Sequence, residues 1–130
     1  TRAGPQAHGG QAFYKPNSPK SKQLASYIQQ EIYKIQPNNS RQIEPANYYL
    51  LKKSNPPIVI AEVGFISNPE ERQKLADPDF QQKIARAIGK GIIAYLNSNL
   101  EETPAQPSLA NYRPRQGSQY KKLLFPSTRA

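Results

Sequence analysis

Apolar residues recur at helical spacing in two stretches of the chain. The first stripe consists of Leu24, Ile28, Ile32 and Ile35. It predicts a helix that buries one face, and Ser18-Pro19 just before it is typical of a helix start. The second stripe consists of Phe80, Ile84, Ile88, Ile92 and Tyr95. It predicts a second long helix, which starts at Asp77-Pro78 and ends near Asn97.

Three shorter segments have the character of strands. Residues 11–14 and 48–54 are short strand candidates, separated by the first helix and by a polar, proline-containing loop at 37–47. Residues 57–65 form a nearly continuous apolar run without alternation, which predicts a strand buried on both faces and therefore a parallel sheet covered by helices. Asn68-Pro69 then starts another helix, with Asn68 as its cap and Glu71 placed to close a capping box. The predicted order β-α-β-β-α-α favours an α/β sandwich.

Glu62 is an acidic residue inside the apolar strand. A buried carboxylate is costly unless it is paired, protonated or close to a metal. Glu62 lies near the end of its strand, where ligands bind in open α/β sheets. General acid–base catalysis beside a metal-bound water would explain it. A structural glutamate paired with lysine or arginine would explain its position equally well.

Composition limits the possible metal sites and partners. The chain has no cysteine, and its one histidine is His8. A catalytic zinc needs about three protein ligands, so these residues do not provide an ordinary zinc site by themselves. No apolar run is long enough to cross a bilayer. The net charge is +9, and residues 104–130 contain five basic and no acidic residues. Such a charge favours nucleic acid, acidic lipid or an anionic cell-wall polymer as a partner.

Several motifs together resemble one enzyme family. They are GGQAFY at 9–14, the Arg41 loop, the Tyr-Leu-Leu segment, Glu62 on its strand, GFISNPEE at 64–71, and a last helix with a Gly-Ile-Ile sequence near its end. In this order they resemble the zinc-dependent N-acetylmuramoyl-L-alanine amidases of bacterial cell walls, over about residues 9 to 97. The resemblance implies a three-layer α/β sandwich around a mostly parallel sheet.

The same resemblance implies a reaction and a role for Glu62. These hydrolases cut the amide between N-acetylmuramic acid and L-alanine in peptidoglycan. A Zn²⁺ ion activates water, and a glutamate at the position of Glu62 acts as general base. Arg41 matches an arginine near the site and is a candidate substrate-binding residue, although a surface arginine on a polar loop would look the same.

The resemblance also implies where this chain belongs in such an enzyme. The family's zinc ligands, two histidines and a glutamate, are expected upstream of Thr1, and His8 is too close to the 11–14 strand to be one of them. Residues 1–100 are then the C-terminal portion of the catalytic domain, with no metal ligand in this chain. Any export signal would also lie upstream, and an extracytoplasmic location in the cell wall or periplasm is expected.

Residues 101–130 fall outside the resemblance and are predicted to be a basic, Pro/Gln/Ser-rich linker or disordered tail. Two other functions therefore stay open. One is a non-catalytic module that binds cell wall or a partner, with the tail as an anchor on anionic wall polymers. The other is nucleic-acid binding, with Tyr112, Tyr120 and Phe125 stacking on bases. No recognised nucleic-acid motif accompanies the tail, so no nucleic-acid partner is expected.

Overall fold

A three-stranded mixed sheet forms the centre of the fold. The computed structural model describes residue 4 and residues 6–100. In that part of the chain the sheet has the strand order β2-β1-β3. The strands are β1 (Gln11–Tyr14), β2 (Glu44–Pro45) and β3 (Val59–Glu62). The predicted tail at 101–130 lies outside the described residues.

The central strand β1 pairs differently with its two neighbours. It is parallel to β2, where Phe13 is opposite Glu44. It is antiparallel to β3, where Gln11 is opposite Glu62 and Tyr14 is opposite Val59. The α/β class is confirmed, but the apolar run in β3 does not make it parallel to β1. Nor is β3 buried on both faces: all four of its residues are half-buried, because it has one neighbouring strand among the described residues.

Helix α1 (Pro19–Ile35) forms as the sequence predicts. The Ser18 hydroxyl accepts a hydrogen bond from the backbone N–H of Ser21 at 3.2 Å, and Pro19 occupies the first turn. Ile28 and Ile32 are buried in a core that also includes Ala12 of β1. Burial of each isoleucine contributes roughly 1.5–3 kcal/mol. This packing places α1 on the face of the sheet to which Ala12 points.

Helix α4 (Pro78–Leu100) packs on the same side, against α1. Its buried residues are Ile84, Ala87, Gly91 and Tyr95. A Cβ atom at Gly91 would lie 2.6 Å from Cα of Ile28, so the two helices approach more closely than any side chain at this position would allow. The predicted stripe is wrong at Ile92, which is 40% exposed, because the contact face passes through Gly91 instead. The helix also continues three residues beyond the predicted end, to Leu100.

Residues 48–54 differ most from prediction. They contain the short helix α2 (Tyr49–Lys53) where a strand was predicted. Leu51 is its one fully buried residue, while Tyr49 and Leu50 are 73% and 65% exposed. One turn of helix buries Leu51 and leaves its apolar neighbours on the surface. The loop predicted at 37–47 contains β2, and α3 (Pro69–Ala76) follows Asn68 as expected. No helix in the described part of the chain is long and apolar enough to cross a membrane.

Candidate active site

Glu62 is the last residue of β3 and lies directly opposite Gln11, the first residue of β1. Residues paired across strands point to the same face of a sheet, and alternate residues share that face. Gln11, Phe13, Ile60 and Glu62 therefore lie on the face opposite the α1–α4 layer. Glu62 is half-buried, not enclosed as the sequence predicts. Its carboxylate is accessible to a substrate on this open face.

Tyr48 is the side chain that contacts Glu62. Its hydroxyl donates a hydrogen bond to Oε1 of Glu62 at 3.3 Å. Its ring meets Phe13 edge to face, with 5.7 Å between ring centroids. Partial burial raises the pKa of the Tyr48 hydroxyl most, followed by the charge of Glu62, the hydrogen bond to it and the charge of Glu44. The tyrosine therefore stays protonated as a donor at neutral pH.

The sequence did not single out Tyr48. A strand over 48–54 gives no reason to choose between Tyr48 and Tyr49. The structure separates them, because Tyr48 precedes α2 with extended backbone while Tyr49 is on its exposed surface. The adjacent tyrosines at the start of the predicted strand were the available signal, but only the structure shows which of them contacts Glu62.

Arg41 is held rigidly near the same end of the sheet. Its Nε donates to the carbonyl of His8 at 2.7 Å, and its Nη1 donates to Oε1 of Gln11 at 3.0 Å. The guanidinium carbon lies 4.3 Å from the centroid of the Phe65 ring, a cation–π contact. Gln11 is opposite Glu62, so Arg41 is linked through Gln11 to the end of the sheet where Glu62 lies.

The turn that follows Glu62 is fixed by Glu71, not by a capping box. The Glu71 carboxylate is buried and accepts hydrogen bonds from the N–H groups of Gly9 at 2.8 Å and Phe65 at 2.9 Å. It therefore ties the segment before β1 to the segment after β3. The predicted cap is confirmed: Asn68 accepts from the N–H groups of Glu70 and Glu71. The predicted return bond from Glu71 is wrong, because its carboxylate is used across the sheet end.

His8 lines a cavity that lies apart from Glu62. The His8 ring is exposed, and its Nδ1 lies 3.1 Å from the carbonyl oxygen of Gln6. Among residue 4 and residues 6–100, no three His, Asp or Glu side chains are placed to hold a metal ion. A cavity of about 760 Å³ is lined by His8, Asn39, Glu71 and others, but not by Glu62, Arg41 or Tyr48. The candidate active site is therefore the open sheet face, not that cavity.

Comparisons with known proteins agree on one family. The family model described as "N-acetylmuramoyl-L-alanine amidase" matches residues 2–94. The chain is similar to the germination-specific N-acetylmuramoyl-L-alanine amidase of Bacillus subtilis, with 36% identity over 88 residues, covering 67% of this chain and 37% of that protein.

Solved structures give the same result. The CwlD amidase from Clostridioides difficile, solved in complex with the GerS lipoprotein, is 40% identical with a TM-score of 0.70, covering 72% of this chain and 48% of that one. An N-acetylmuramoyl-L-alanine amidase from Clostridium difficile 630 is 31% identical with a TM-score of 0.71, covering 75% and 53%. The chain thus spans about half of these structural relatives and little more than a third of the Bacillus protein.

Proposed function

The chain belongs to the N-acetylmuramoyl-L-alanine amidase family, and on that premise we propose that it supplies the general base and one wall of a peptidoglycan amidase site. The bond cut is the amide between N-acetylmuramic acid and L-alanine. The observation that supports this most is the place of Glu62. It ends β3 on an open face of the sheet, within the matched region, and its cross-strand neighbour Gln11 is hydrogen-bonded to the rigidly held Arg41.

The role proposed for Glu62 is proton transfer. Its carboxylate accepts a proton from the attacking water as the water oxygen bonds to the amide carbon. It then gives that proton to the nitrogen of L-alanine as the carbon–nitrogen bond breaks. One carboxylate can serve both steps because the oxygen of the attacking water and the leaving nitrogen are bonded to the same tetrahedral carbon. The half-buried position of Glu62 leaves its carboxylate open to this carbon.

The role proposed for Arg41 is to orient the substrate. Two hydrogen bonds and the Phe65 ring already fix its guanidinium, so little side-chain freedom is lost when a ligand binds. A fixed guanidinium recognises planar oxygen groups such as a stem-peptide carboxylate or a sugar carbonyl. We assign Arg41 to one of these groups on peptidoglycan.

Zinc activates the attacking water in this family, but the described residues do not fit a zinc site by themselves, since no three ligands lie together among them. We propose that residues 1–100 are the C-terminal portion of the catalytic domain. The zinc ligands would then belong to another portion of that domain. The enzyme would act outside the cytoplasm, where peptidoglycan lies.

A chimera tests the proposal. In it, the chain replaces the segment that it matches in the Clostridium difficile 630 amidase. Glu62→Gln is expected to lower turnover of peptidoglycan by about 10²–10⁴-fold, the usual contribution of a general base, with zinc content unchanged. Glu70→Gln is the matched control, since Glu70 is exposed and lines the cavity that does not include Glu62. Full turnover by the Glu62→Gln chimera would refute the assignment.

A non-catalytic wall-binding module is the second candidate. The net charge of +9 favours it, because anionic wall polymers attract basic proteins. Binding of the chain to purified cell walls, weakened by salt but not by Glu62→Gln, together with no turnover by the chimera, would select this function over the amidase.

A further inference from the structure

The hydroxyl of Tyr48 and the carboxylate of Glu62 form a pair that the family assignment does not explain. An ionised carboxylate can only accept hydrogen bonds, so the tyrosine is the donor. The bond uses Oε1 of Glu62, which leaves Oε2 available on the open face. Its length of 3.3 Å is longer than usual for two oxygens, and such contacts often shorten when a substrate is bound.

Tyr48 is itself held in place from two directions. Its ring packs edge to face on Phe13, which lies on the same sheet face as Glu62. Its backbone precedes α2, and its carbonyl accepts the N–H of Lys52 at 3.1 Å. Side chain and backbone are thus fixed by different elements, so the hydroxyl has a defined position over the end of β3.

We propose that Tyr48 is a positioning residue for Glu62, and that its hydroxyl holds Oε1 so that Oε2 faces the attacking water. A glutamate at a strand end has free rotation about its last bond unless a neighbour fixes one oxygen. Among the described residues, Tyr48 is placed to do this by the 3.3 Å contact. This inference rests on the proposed role of Glu62 as the base.

The charges around Tyr48 agree with this geometry. Glu62 and Glu44 both raise the pKa of its hydroxyl, after partial burial, which is the largest cause. A tyrosine that stays protonated beside two carboxylates remains available as the donor to Oε1 of Glu62.

The first measurement uses the full chain and needs no activity. The pKa of Tyr48 is followed by NMR of tyrosine ring carbons, in the unaltered chain and in Glu62→Gln. The pair predicts that the pKa of Tyr48 falls in Glu62→Gln, because the negative charge beside its hydroxyl is lost. An unchanged pKa of Tyr48 would mean that the contact does not exist in solution, and would overturn the proposal.

The second measurement is turnover in the chimera. Tyr48→Phe is expected to lower kcat about tenfold, as for loss of one hydrogen bond to a charged group, with KM unchanged. Tyr49→Phe should leave both unchanged. An unaltered kcat in Tyr48→Phe, while Glu62→Gln is inactive, would refute the positioning role alone. Full activity of Glu62→Gln would instead refute the proposed function.

Discussion

Replacing Glu71 by glutamine tests how the end of the sheet is held together. Glu71 is 7% exposed, and its carboxylate accepts hydrogen bonds from the N–H groups of Gly9 and Phe65. Glutamine has the same shape but one acceptor oxygen, and its amide NH₂ would face the second N–H. That variant therefore leaves one buried donor without an acceptor and places two donors against each other.

The expected loss of stability follows from these two bonds. A hydrogen bond to a charged group contributes about 1.5–3 kcal/mol, and a buried donor left unsatisfied costs about 1–3 kcal/mol. Together they predict that Glu71→Gln lowers the free energy of unfolding by about 2.5–6 kcal/mol. Glu70→Gln is the control, because Glu70 is exposed and in the same first turn of α3. Both variants lose the interaction with the helix dipole, about 0.3–1 kcal/mol.

Urea unfolding followed by circular dichroism measures both variants. Amide hydrogen exchange adds a local test, since the N–H groups of Gly9 and Phe65 should exchange faster in Glu71→Gln than in Glu70→Gln. If the two variants unfold at the same urea concentration, the Glu71 carboxylate does not join the two strand ends, and the reasoning fails.

Three further predictions use other parts of the structure. Gly91→Ala should lower the free energy of unfolding by about 1–3 kcal/mol, because its Cβ would meet the backbone of Ile28. Gly89 has open space around it, so Gly89→Ala should raise the free energy of unfolding by up to about 1 kcal/mol. Equal urea midpoints for the two variants would contradict this. Because the pKa of folded Tyr48 is raised, stability should fall as pH rises above about 10, and Tyr48→Phe should show a smaller fall in the same titration. Arg41→Lys keeps the charge but loses the fork that binds two oxygens, so it should cost about 1 kcal/mol of stability and raise KM in the chimera; an unchanged KM would remove Arg41 from the substrate site.

Helix starts and most of the helical core follow from local chemistry and were predictable. Ser18 and Asn68 cap their helices with their own side chains, and each is followed by a proline suited to the first turn. The apolar stripe of α1 was also predictable, because helical spacing alone decides which residues share a face. Ile92 was misassigned because the axis of α4 is set by the close approach at Gly91.

Other features depend on residues far apart in the chain and could not be predicted locally. Glu71 has the sequence position of a capping box, but its partner Gly9 is 62 residues away. The helix at 49–53 buries Leu51 in the fold. Tyr48 directly precedes this helix and contacts Glu62. The sequence could indicate Glu62 as a site residue, but not its half-exposed position or its hydroxyl neighbour.

Release of L-alanine amino groups from purified peptidoglycan in the presence of zinc decides whether Glu62 is the base of an amidase site that residues outside 6–100 complete. We expect release by the chimera, loss of release in its Glu62→Gln variant, and no release by the chain alone. Release by the chain alone would contradict the claim that the zinc ligands lie outside residues 6–100, and His8 would be the first residue to replace. Equal release by the chimera and its Glu62→Gln variant would contradict the assignment of the base.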